Sequence, residues 1–150
     1  MEFLTWLEES AVGVWISEDI WAYPIVLSCH AVGMAIVVGM VTVINLRVLG
    51  FAKRIPIDSF KSLYTLTFIG FALNFISGCL LFTNDATRFF LSNMFRAKII
   101  LIIVGMISVW LLLKEVRKNP DGTTTARAIA AVSLLCWFGA IATGRLIAYF

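Results

Sequence analysis

The chain has 150 residues, of which 61% are hydrophobic and 14% charged, with a formal net charge of +3. Soluble domains hold about 45–50% apolar and about 25% charged residues. Composition therefore excludes an ordinary soluble globule, leaves no length for a separate soluble catalytic domain, and gives no reason to expect a nucleic-acid partner.

In chain order, residues 1–19 interleave Phe3, Leu4, Trp6, Leu7, Val14 and Trp15 with Glu2, Glu8, Glu9, Glu18 and Asp19. Tryptophan in such a setting marks a membrane–water interface. The pattern predicts an amphipathic helix lying on the membrane and packed on the rest of the protein, because its acidic face repels anionic lipid. No Lys or Arg precedes Arg47, so this segment lacks the basic start of a cleavable signal peptide.

A first long apolar helix is predicted over residues 20–49, with Pro24 in its first turn, where a missing N–H costs nothing, and Gly50 as its stop. The loop 51–60 carries Lys53, Arg54 and Pro56. A second apolar helix covers 58–82 and ends at Thr83-Asn84-Asp85, with Asp85 expected to cap a short helix through Leu91. The third covers 95–117. Asn119-Pro120-Asp121-Gly122 is a turn, and the fourth helix covers 124–149. A membrane-crossing helix needs roughly 20 mostly apolar residues. The expected fold is thus all-α: a four-helix transmembrane bundle in a single domain, with an N-terminal interfacial amphipathic helix.

Charge orients the bundle. The first and third loops with their flanks hold eight basic residues (Arg47, Lys53, Arg54, Lys61, Lys114, Arg117, Lys118 and Arg127), against four on the other side (Arg88, Arg96, Lys98 and Arg145). The positive-inside rule then puts those two loops in the cytoplasm and both termini in the periplasm of a bacterial inner membrane.

His30 is the chain's single histidine. It lies roughly 14 Å into the first helix at 1.5 Å per residue. An ionisable group at that depth is costly and usually functional. Imidazole is a frequent haem ligand in helical bundles; the alternative is a neutral ring bonded to a backbone carbonyl or to a partner such as Asn74. Matching depths puts Met106 of the third helix level with His30, as a candidate second axial ligand. Arg145, Arg96 and Lys98 cluster at the same side and suit haem propionates, although basic side chains also snorkel to headgroups. Gly33, one turn from His30, leaves room for a flat ligand or for close helix packing. His30 with Met34 is a soft pair that suits Cu(I), with few ligands. Cys29, Cys79 and Cys136 sit in apolar runs without metal spacing and read as small apolar residues. No nucleophile triad, paired-carboxylate site, phosphate loop or dinucleotide motif is present, and no acidic residue lies mid-helix as a proton pathway would need.

The stretches Trp21-Ala22-Tyr23-Pro24-Ile25-Val26 with His30, Asn45-Leu46-Arg47-Val48-Leu49-Gly50, Asn93-Met94-Phe95-Arg96-Ala97-Lys98 and Gly144-Arg145-Leu146-Ile147-Ala148-Tyr149 together resemble an uncharacterised family of small four-helix bacterial integral membrane proteins. The resemblance covers nearly the whole chain. That family is distantly similar to the CopD-type copper-resistance membrane domain and to b-type cytochromes, which implies haem or metal binding by analogy. Its members often carry a second histidine late in the third helix; Val109-Trp110-Leu111-Leu112-Leu113-Lys114 has none.

Two functions are expected from these features. One is a subunit binding haem b through His30 and passing electrons between a periplasmic partner and the quinone pool. The other is a non-catalytic scaffold or accessory subunit of a larger membrane complex, without cofactor. Copper handling is a weaker third. Each is compatible with membrane or periplasmic partner subunits and with a homo-oligomer, and none implies independent catalytic activity.

Overall fold

A computed structural model describes residues 2–51, 60–119, 123–147 and 149, and these are all-α, without strands. The helices are α1 (Glu2–Glu8), α2 (Ala11–Glu18), α3 (Ala22–Leu49), α4 (Phe60–Asn84), α5 (Ala86–Leu91), α6 (Asn93–Lys118) and α7 (Thr124–Leu146). Ala22–Leu49, Thr65–Asn84, Asn93–Lys118 and Thr124–Leu146 are long and apolar enough to cross a membrane. Three sequence expectations fall outside the described residues: the basic loop with Lys53, Arg54 and Pro56, the helix start at Asp58, and the Pro120-Asp121-Gly122 turn.

The amphipathic segment is two short helices rather than one. Ser10 breaks the run: its backbone is extended, its Oγ accepts from the Gly13 N–H at 3.2 Å and donates to the Leu7 carbonyl at 2.6 Å. That hydroxyl caps the start of α2. The fold-back brings the Leu7 and Glu8 carbonyls so close to Gly13 that a Cβ there would collide with the Glu8 oxygen. Trp6, Trp15 and Trp21 are all exposed, and Trp6 stacks on Phe3 with ring centroids 5.8 Å apart.

The start of α3 is capped by Asp19, whose Oδ1 accepts from the N–H groups of Trp21 and Ala22 at 2.8 and 2.9 Å. Its end is a Schellman motif: Gly50 takes φ of +101°, the Gly50 N–H donates to the Arg47 carbonyl and the Phe51 N–H to that of Leu46. Glycine suits that left-handed position because it has no Cβ to clash. The short helix expected after Asp85 exists, but Asp85 does not cap it with its side chain. The Glu8 carboxylate of α1 does so instead, accepting from the Thr87 N–H at 2.7 Å, while Asp85 lies 3.7 Å from Arg88. A carboxylate at a helix start satisfies an N–H that has no partner within the helix.

The chain divides into two compact units, one of Met1–Val37 and Tyr64–Ser92, the other of Val38–Leu63 and Asn93–Phe150. In the first, α3 and α4 pack through glycine: a Cβ on Gly33 would lie 2.7 Å from the Asn74 nitrogen and 2.9 Å from the Gly70 oxygen. In the second, α6 and α7 form an antiparallel pair. Gly105 of α6 meets Trp137 and Cys136, Leu101 meets Gly139, and Lys98 lies along Gly144, so positions that rise on one helix fall on the other. The residues of α7 that are buried or meet α6, namely Ala126, Ala130, Ser133, Trp137, Ala140 and Gly144, alternate steps of four and three, and on α6 Lys98, Leu101, Gly105, Ser108 and Leu112, likewise buried or in contact, do the same. That is the 3.5-residue period of coiled-coil packing, in which small residues face larger ones: Gly105 meets Trp137, Gly139 meets Leu101, Gly144 meets Lys98, and Ala126 and Ala130 cluster with Leu112. Leu112, Ala126 and Ala130 form its buried centre, covered by Ile44, Val48 and Leu49 of α3. Thr123 caps α7 by accepting from the Ala126 N–H at 3.0 Å, and Glu115 accepts from both Asn119 and Thr123, tying the end of α6 to the start of α7.

Candidate functional site

His30 sits on the face of α3 that meets α4, in the first unit. Its Nδ1 lies 3.0 Å from the Asn74 carbonyl oxygen and 3.2 Å from Ser77 Oγ. A carbonyl can only accept, so Nδ1 carries the proton and donates to it. Asn74 answers in the opposite sense: its Nδ2 donates to the His30 carbonyl at 2.9 Å. Each residue thus gives a side-chain donor to the other's backbone oxygen, and the two helices are clasped by a reciprocal pair. Ser77 secures α4 at the same point, donating to the carbonyls of Leu73 and Asn74 at 2.6 and 3.1 Å.

The sequence places this clasp by placing glycines around it. Gly78 lies under the imidazole, where a Cβ would approach Cε1 to 3.1 Å and Nδ1 to 3.4 Å. Gly33 lets α3 rest directly on the α4 backbone, and Gly70 accommodates Ile36. The expected flat-ligand space beside Gly33 is therefore filled by α4, and this glycine serves close helix packing.

The other candidate residues lie in the second unit. Met106 is 44% exposed and belongs to the stripe of α6 with Ile103, Ile107 and Trp110, away from the seam with α7. Depth along a helix matched it to His30; direction around the helix points it outward. Arg96 and Arg145 are exposed. Lys98 is half-buried, with its Nζ against Gly144, which brings it to the Gly144-Arg145 end of α7. All three cysteines are free, Cys136 buried and Cys79 exposed. Among the described residues no group of three or more His, Cys, Asp or Glu side chains could hold a metal ion.

Sequence reasoning missed a second polar site. Asn45 of α3 and Ser133 of α7 are fully buried, and Asn45 Nδ2 donates to Ser133 Oγ at 3.0 Å. The signal was available: an Asn inside an apolar helix is costly unless bonded across to a neighbour.

With respect to a haem, the chemistry of His30 fits one axial position. A proton fixed on Nδ1 by a carbonyl makes Nε2 the ligating atom, the arrangement that orients metal-bound histidines generally. The glycines around the ring do not extend the fit, since helix backbone and the ring itself fill their faces. Comparison with known protein families, with curated proteins and with solved structures finds no match.

Proposed function

We propose that this chain is a non-catalytic scaffold or accessory subunit of a larger assembly in the bacterial inner membrane, acting through its apolar helix surfaces, with His30 as an inter-helix lock. The observation that carries this reading is the reciprocal His30–Asn74 pair: its bonds, with Ser77 and Gly78 around the ring, give the partly buried histidine a structural purpose. The exposed aromatic and aliphatic stripes supply surface for lipid and for partner subunits, or for a second copy of this chain. The two-to-one bias of basic residues supports cytoplasmic loops after the first and third spanning helices and periplasmic termini.

A second reading is favoured by the Nδ1–carbonyl bond: a b-type haem held by His30 Nε2, in a subunit carrying electrons between a periplasmic partner and the quinone pool. Bound haem would supply one-electron chemistry at a potential set by its axial ligands. The chain's own part would be to hold the ring's orientation through Asn74 and to keep water from it.

Absorption spectra of the detergent-purified protein, oxidised and reduced, separate the two. The scaffold reading expects no Soret band from well-folded protein, stoichiometric co-purification of a partner, and a His30→Ala variant that loses helix packing without any spectral change. A Soret band that disappears in His30→Ala would replace it with the haem reading. Copper binding to the wild-type protein that His30→Ala abolishes would point instead to the His30–Met34 pair.

A further inference from the structure

Lys98 and Arg145 lack a counter-charge: neither makes a hydrogen bond or ion pair with a described residue. Both belong to the second unit. The described acidic residue of that unit, Glu115, lies 17 positions beyond Lys98 along α6, roughly 25 Å at 1.5 Å per residue. Glu115 is also already engaged by Asn119 and Thr123. An ammonium half-withdrawn from solvent on a membrane-spanning helix calls for an anion. The carbonyl end of α7 attracts it with about half a charge, but takes no hydrogen bond from it among the described residues.

The two cations share one end of the hairpin. The Cδ, Cε and Nζ atoms of Lys98 run along Gly144, at 3.5, 3.4 and 3.3 Å from where its Cβ would stand, so the glycine is the track on which the lysine stem lies. Arg145 is the next residue and is exposed; its Cα is about 3.8 Å from that of Gly144. A phosphodiester shares its charge over two oxygens and accepts from two cationic donors at once. With 23 residues, α7 is roughly 35 Å long against about 30 Å of hydrocarbon, which leaves Arg145, one residue from its end, at headgroup level. Below Arg145 the same face of α7 carries Ala142, Phe138 and Leu135, at steps of three, four and three, all exposed. From Arg145 to Leu135 is roughly 15 Å, the depth of one leaflet's hydrocarbon.

We infer that the α6–α7 hairpin holds one anionic phospholipid, its phosphate received by Lys98 Nζ and the Arg145 guanidinium and an acyl chain laid along Ala142, Phe138 and Leu135. Charge complementarity selects the occupant. Two cations with no described acid in reach favour a headgroup of the phosphatidylglycerol kind, whose phosphate charge is uncompensated, over one whose own ammonium they repel. The guanidinium supplies paired donors and the lysine a point charge. The apolar stripe distinguishes a lipid from a soluble phosphate ester, to which it offers nothing. The site lies in the second unit and does not depend on whether His30 serves packing or a cofactor.

The test is native mass spectrometry of the detergent-purified protein with added phosphatidylglycerol and, in parallel, phosphatidylcholine of the same acyl chains. Wild-type protein should retain one phosphatidylglycerol in clear preference. A single Lys or Arg near a membrane surface changes affinity for anionic lipid about fivefold. Lys98→Gln and Arg145→Gln should therefore each weaken phosphatidylglycerol binding by about that factor and leave phosphatidylcholine unchanged. Lys118→Gln, at the other end of α6, should alter neither. Equal retention of the two lipids overturns the inference, as does survival of the preference in either variant or an equal loss in Lys118→Gln. Glycerol phosphate in place of lipid separates the two sources of the headgroup: binding as tight as that of the lipid overturns the assignment to a phospholipid. Should Lys98→Gln not fold, Arg145→Gln, at an exposed position, decides.

Discussion

Replacing Gly33 by alanine tests the α3–α4 clasp without touching any of its hydrogen-bonding groups. The new Cβ would stand 2.7 Å from the Asn74 nitrogen and 2.9 Å from the Gly70 oxygen, both backbone atoms that no rotamer change can move. Ordinary contact begins at 3.4 Å, so the helices must separate by several tenths of an ångström. Overpacking of this kind costs about 1–3 kcal/mol. Separation also stretches the bonds at 3.0 and 2.9 Å that join His30 and Asn74. Hydrogen bonds between membrane helices contribute on average about 0.6 kcal/mol each, with a maximum near 1.7. Against these losses, alanine gains up to about 1 kcal/mol of helix propensity. The expected net loss is about 1–3 kcal/mol. Gly39→Ala is the internal control, because nothing lies within 4 Å of its added Cβ; it should be neutral or stabilising by up to about 1 kcal/mol. Reversible unfolding in mixed micelles with increasing dodecyl sulfate measures both. Equal stability of the two variants would refute the close approach of α3 and α4 at Gly33.

Two further outcomes follow from the same geometry. Glu8→Ala removes the acceptor for the Thr87 N–H; loss of a capping group costs about 1 kcal/mol, and hydrogen exchange should quicken over Ala86–Leu91 while the α6–α7 pair keeps its protection. Ala130→Leu overfills a position that is 0% exposed and should cost about 1–3 kcal/mol, whereas Val132→Leu, at a position 46% exposed, should leave the unfolding midpoint unchanged.

The spanning helices were readable because lipid sets a length and forbids charge, and both are properties of the apolar runs themselves; Gly50 adds the end of α3, as expected. The α6–α7 seam was not, because in a helix apolar on every side the buried face is marked by size rather than hydropathy, and Ala126, Ala130 and Ala140 differ from their neighbours only in being small. The capping of α5 escaped for another reason: Glu8 and Thr87 are 79 positions apart, and nothing local to either announces the other. At the candidate site, Asn74 was identifiable as a partner for His30 because an intramembrane histidine and an intramembrane asparagine each need one. Met106 was matched on height alone, which says nothing of the direction around the axis; that direction comes from the packing of Gly105 and Ser108, its neighbours on the buried side.

Only five residues separate the end of α6 from the start of α7, and Glu115, Asn119 and Thr123 bind that junction together. Two segments so tethered find each other at very high local concentration once both reach the hydrocarbon. Their seam, small residues set against Leu101, Leu112 and Trp137, can then close without waiting for more distant parts of the sequence. The hairpin is therefore equipped to be the template on which Ile44, Val48 and Leu49 settle, whereas the bond between His30 and Asn74 must join segments 44 positions apart. Biogenesis of this protein accordingly has a ready-made starting point and a slower, long-range step.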